Sequence, residues 1–103
     1  VSDGVDSVSI EGLFRRLSSD VVAAHLHLGA AGTNGPVVAD LSAFVSNHGI
    51  SAAVYASNVT GPLADSPSPM LALLNEMAAG NVYLNIHTAN NPAGEIRGQL
   101  RLR

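Results

Sequence analysis

The sequence has no cysteine and no tryptophan, and only 13% of its 103 residues are charged. Without cysteine there is no disulfide framework, no thiolate metal site and no Cys nucleophile. The charged share is about half the usual level for a globular chain. Little net repulsion then holds copies apart, which suits a surface that sticks to its neighbours. The net charge of −3 leaves no basic patch for phosphates, so nucleic acid is excluded as a partner. The one basic cluster, Arg97, Arg101 and Arg103, alternates along a strand pattern and reads as a solvated face. No run approaches the ~20 apolar residues of a membrane helix, and no signal-peptide pattern occurs. The chain opens on Val1 rather than Met, which points to a processed or partial chain. There is no Walker-type GK[ST] ending and no GxSxG elbow. The acidic residues are scattered, without a pair suited to glycoside chemistry, and no internal repeat appears.

What is present is strand periodicity with many turns. One domain fits this length, with one modest core. Val8 and Ile10 alternate with Ser7, Ser9 and Glu11, and the pattern breaks near Gly12 in a bulge or bend. Val21–Leu28 predicts a strand with Val22, Ala24, Leu26 and Leu28 inward, and Val21, Ala23, His25 and His27 on the other face. A Gly-rich loop, 29–36, leads to a short strand over 37–41. Residues 42–49 read as a helical turn or a loop, and 50–57 as another strand. Met70, Leu73, Leu74 and Met77 fall on one helical face, so a short helix is expected over 69–79, with Ser68 as N-cap and Gly80 at its C-terminus. Both methionines are core residues by this spacing. Val82, Leu84 and Ile86 then face in, and Tyr83, Asn85 and His87 face out. The turn "ANNPAG" leads to a last strand with Ile96, Leu100 and Leu102 inward and Glu95, Arg97, Gln99, Arg101 and Arg103 outward. The sum is an all-β fold: an antiparallel immunoglobulin-like or Greek-key sandwich with one helix.

Two blocks carry a resemblance. "AAHLHLGAAGTNGPVVADL" and "AGNVYLNIHTANNPAGEIRGQL" resemble the CHRD domain, the module of chordin and of secreted bacterial proteins. The family pattern has a His-x-His strand, a Gly-rich loop, and then a Y-x-N-x-H-T block closing on N-P-x-G-E-I-R-G-Q. Asn85, His87, Thr88, Asn91, Pro92, Gly94, Glu95, Arg97, Gly98 and Gln99 stand where the family has them. The resemblance covers roughly 21–100. It implies an immunoglobulin-like sandwich, a secreted or cell-surface setting, and a role in binding or assembly without a required cofactor or reaction. Family members carry a further strand ahead of the one equivalent to "DSVSIEGLF", and this sequence does not supply it. An unpaired sheet edge is therefore expected, open to a strand from another copy. The leading expectation is a structural or adhesive module, a homo-oligomer or filament, with other extracellular proteins or glycans as further partners. Asn58-Val59-Thr60 is a glycosylation sequon.

A second expectation concerns metal. His25 and His27 share a strand face, with Cβ atoms ~6.5–7 Å apart, and His87 is the natural third ligand. Three imidazoles suit copper or zinc, and a dismutase-like enzyme would further need an open coordination position. Against this stands a bracing role, in which the histidines bond loop carbonyls and Glu95 and Arg97 form a cross-strand pair. His48 lies in a loop that the sequence does not place.

Overall fold

The computed structural model describes residues 7–101. Six strands and one helix follow in the order β1 (Ser7–Leu13), β2 (Val21–Leu28), β3 (Val37–Asp40), β4 (Gly49–Tyr55), α1 (Pro69–Ala78), β5 (Val82–Thr88) and β6 (Ile96–Gln99). Every strand pairing is antiparallel. β1 and β4 make a two-stranded sheet, and β3-β2-β5-β6 make a four-stranded one. The fold is an all-β sandwich, as the alternation predicted.

The core follows from the period of two. In β4, Ile50, Ala52 and Val54 are buried while Ser51, Ala53 and Tyr55 are exposed. β1 brings Val8 opposite Val54 and Ile10 opposite Ala52, so both strands present one apolar face. Across the sandwich, Ala24 and Leu26 of β2, Val38 of β3, and Val82 and Ile86 of β5 complete the cluster. From α1, Leu73 and Met77 join it, which accounts for the helical spacing of the apolar residues. Gly80 takes φ +79 just past the helix, the left-handed conformation that only glycine adopts cheaply. Ser68 caps differently from the expectation. Its hydroxyl makes no capping bond, and only its carbonyl accepts the N–H of Ala72.

Three expectations are corrected by the packing. Val22 is 58% exposed rather than inward. The register steps from Val21 opposite Thr88 to Ala23 opposite His87, so β2 carries one extra residue there. That bulge turns Val21 onto the core and Val22 to solvent, and it leaves Ala24 and Leu26 in phase. The fourth strand ends at Tyr55, because Asn58 Oδ1 accepts the Tyr55 N–H at 2.8 Å and closes a 3-10 turn over Ala56–Asn58. The last strand is also shorter than its alternation, ending at Gln99. Leu102 and Arg103 lie outside the described residues.

Leu26 is fully buried between the two sheets. Leu26→Ala is expected to destabilise the domain by about 2–5 kcal/mol, through lost transfer energy plus the residual cavity. Urea unfolding of the two chains measures it.

Candidate functional site: a roofed histidine cluster and an open sheet edge

The outward face of β2 and β5 is not a solvated face. Tyr83 is 2% exposed and His87 9% exposed. Two loops cover them, and each is held by a histidine. His27 Nδ1 lies 2.8 Å from the Gly35 carbonyl oxygen, and His87 Nδ1 lies 2.9 Å from that of Pro92. A carbonyl oxygen only accepts, so in both rings Nδ1 carries the proton and donates. The bracing role read from the sequence is therefore present. A Cβ on Gly35 would stand 1.7 Å from the Leu28 carbonyl oxygen, so only glycine lets the loop close this tightly.

Cross-strand register brings the third histidine in. His25 sits opposite Asn85 and beside Asp40 of β3. Its Nδ1 lies 3.0 Å from His87 Nε2. Since His87 Nε2 bears no proton, His25 Nδ1 is the donor. His25 Nε2 lies 3.8 Å from Asp40 Oδ1. Burial, more than the neighbouring His87, pushes the His25 pKa down against the pull of Asp40, which keeps the ring neutral. One ring nitrogen from each of His25, His27 and His87 lies within 4.8 Å of the others, the spacing of a candidate metal-ligand group among the described residues. His48 is exposed in the turn before β4 and is not part of this cluster.

Arg97 departs most from its expected role. Its guanidinium carbon sits 3.5 Å from the Tyr83 ring centroid, and on that same ring His27 stacks at 4.9 Å with an interplanar angle of 2°. Its N–H groups donate to Asn34 Oδ1 and to the Ala30 carbonyl, each at 3.2 Å, and also to the carbonyl of Thr33. Arg97 thus clamps the 29–36 loop rather than decorating a solvated strand, and the cation–π contact adds to the clamp.

Glu95 does not pair with Arg97. Its carboxylate accepts from the Ser18 hydroxyl at 2.6 Å and the Ser18 N–H at 2.7 Å. It also accepts from the Thr88 hydroxyl at 2.6 Å and Asn91 Nδ2 at 3.1 Å. These donors, the Ser18 hydroxyl foremost, hold its pKa down to about 2. The network ties the β1–β2 connection to the β5–β6 turn. Gly94 has φ +125, and a Cβ there would lie 2.3 Å from Asn85 Oδ1, so Asn85 packs against bare backbone. Asn58 is exposed, in the short turn that follows β4. Sequence reasoning missed Asp40, Ser18 and Tyr83, whose roles depend on strand register and loop closure.

The second notable feature is an edge. β1 pairs with β4 alone, so its other side has no strand partner among the described residues. Beneath that side runs a groove between the sheets. One stretch of about 460 Å³ is lined by Ser7–Glu11, Met77, Leu100 and Arg101. A second, of about 170 Å³, is lined by residues 12–14 with Leu84, Ile86, Ile96, Arg97 and Gly98. Leu13 at its border is 93% exposed. The edge of β3, by contrast, is covered: Thr60 N–H donates to Val38 O at 2.8 Å, and Ala39 bridges to Val59.

The family model for the CHRD domain matches residues 1–100. Comparison with curated proteins and with solved structures gives no match.

Arg97→Ala is expected to free the 29–36 loop, raising amide hydrogen exchange at 30–35 by at least about tenfold while the β1–β4 sheet keeps its protection. Glu95 has its folded pKa below the ordinary 4.5, so its contribution is complete above that pH and is lost as pH falls toward 2. The Tm of Glu95→Gln should therefore lie below wild type at pH 7, with the gap closing between pH 4.5 and pH 2. A gap that stays constant over that interval would remove the network from this account.

Proposed function

The chain belongs to the CHRD domain family, and from that premise we propose that it is a structural module that joins copies of itself by strand addition at the β1 edge. CHRD is an extracellular type of domain. No helix among the described residues is long and apolar enough to cross a membrane. The observation that carries the reading is the edge of β1, without a strand partner among the described residues and lying along a groove of mixed polar and apolar lining.

The physical argument runs through unpaired backbone. An edge strand offers a row of N–H and C=O groups, and natural edges are blunted by Lys, Pro, inward charges or a covering loop. β1, SVSIEGL, has no Lys or Pro, and Glu11 is its sole charge. Its half-buried Val8 and buried Ile10 face the groove. A strand laid along β1 extends the two-stranded sheet and places alternate side chains in that groove. Main-chain hydrogen bonds supply affinity, and the groove supplies register. If the added strand comes from a different surface of the next copy, the contact is heterologous and grows into a filament; if β1 pairs with β1, it closes as a dimer. The low charged share favours either form, since little repulsion separates the copies. Asn58 of the sequon is exposed, so a glycan could be carried there.

The test is light scattering coupled to size-exclusion chromatography, with electron microscopy of concentrated samples. Wild type is expected to form dimers or filaments. Val8→Lys, which points a charge into the groove, is expected to give dispersed folded monomers. A wild-type chain that stays monomeric at millimolar concentration would overturn the proposal. Val8→Lys chains that assemble as wild type does would move the contact away from β1.

A further inference from the structure

We propose that His25, His27 and His87 form a binding centre for one divalent transition-metal ion of the borderline class, held most tightly as Cu(II). The argument starts from lone pairs. His27 donates through Nδ1 to Gly35, so its Nε2 is bare. That atom is buried and has no hydrogen-bond partner among the described residues. A buried polar atom left without a partner is costly, and a site that keeps one calls for an explanation. His87 likewise donates through Nδ1 to Pro92, so its Nε2 lone pair also points into the cluster.

His25 completes the set. Its Nδ1 is 3.0 Å from His87 Nε2. Two nitrogens on a tetrahedral ion at ~2.0–2.1 Å lie about 3.3 Å apart. The two rings are therefore already at nearly ligand spacing, with a proton where the ion goes. On binding, His25 changes tautomer: the proton leaves Nδ1 and Nε2 becomes protonated. The ring stays neutral, so the exchange leaves no net charge on it. Nε2–H then faces the Asp40 carboxylate, 3.8 Å away. Each of the three imidazoles then has its second nitrogen aimed at an acceptor: Gly35 O, Pro92 O and Asp40 Oδ1. This is the outer arrangement that orients metal-bound histidines and raises their basicity. Asp40 is itself held by Ser42, whose hydroxyl donates at 2.6 Å and whose N–H donates at 3.0 Å.

The ligand set selects the ion. Three neutral imidazoles suit Zn(II), Cu(II) and Ni(II), and the affinity order for nitrogen sites places Cu(II) highest. Ca(II) and Mg(II) require oxygen ligands and are excluded. The centre is independent of the β1 edge, since no residue of the groove belongs to it.

The experiment is calorimetric titration of the intact chain with CuSO4 and, separately, ZnCl2. One ion per chain is expected, with no heat from MgCl2. The chain has two tyrosines and no tryptophan, and Tyr83 stacks on His27, so Cu(II) should quench a large share of the tyrosine emission. His27→Gln and His87→Gln should each weaken binding by at least about 100-fold, and Asp40→Asn, outside the ligand set, by about 10–100-fold. His48→Gln should bind as wild type. Nitrogen NMR of the wild-type chain with Zn(II) keeps the test decisive if a variant fails to fold. Shifts at Nε2 of His27 and His87 and at Nδ1 of His25 are expected. No binding by wild type, or shifts confined to His48 and surface carboxylates, would overturn the proposal.

Discussion

The structure depends on one obligation: the polar face that β2 and β5 share is largely covered, with Tyr83 and His87 buried and His25 and His27 half-buried, so its hydrogen-bonding groups must find partners inside the protein. Loops meet that obligation. The 29–36 loop folds down until the Gly35 carbonyl reaches His27 and the Gly35 N–H reaches the Tyr83 hydroxyl at 3.1 Å. The β5–β6 turn brings the Pro92 carbonyl to His87. Arg97 then fastens the first loop from above and Glu95 fastens the second from the side. Remove the burial, and none of these contacts has a reason to exist.

The same obligation leaves the histidines with more nitrogens than the loops use. A brace uses one ring nitrogen. Each ring has two, and in His27 the second is left buried without a partner. One nitrogen of each ring lies within 4.8 Å of the others, because two of the rings are fixed by loop carbonyls and the third by cross-strand register. The two-stranded sheet on the opposite layer follows a different logic. Its apolar face is buried as well as any, yet its outer backbone groups on β1 have no strand beside them among the described residues. In the four-stranded layer the loops cover the outer face and the β3 edge, while in the other layer β1 lies at an edge. The three histidines are not among the residues that line the hollows beside β1, so the two features can be tested independently.

Much of this was legible before the fold was known. Alternation in VVAAHLHL put His25 and His27 on one face, and the strand boundaries of β2 agree with that reading. The i, i+3, i+4, i+7 spacing located α1 and made its methionines core residues. Val22 escaped because a bulge is a property of two paired strands: the extra residue exists only relative to β5. Arg97 escaped for a similar reason. Alternation correctly turned it away from the core, but an exposed side chain can still be held, and the loop that Arg97 clamps begins more than sixty residues earlier in the chain. Glu95 and Arg97, two residues apart, looked like natural partners. Each instead has better-placed partners on loops that approach from opposite sides.

By itself, then, the sequence determined the strands, the helix, the apolar layer between the sheets and the type of each candidate ligand, because these follow from side-chain period and local backbone preference. It also carried the family signature, in which residue identity alone is informative. Tertiary structure decided which outward residues are buried, which nitrogen of each imidazole carries its proton, and which strands lie at sheet edges. Those outcomes depend on register and loop closure between segments far apart in the chain, and no local pattern encodes the distance between them.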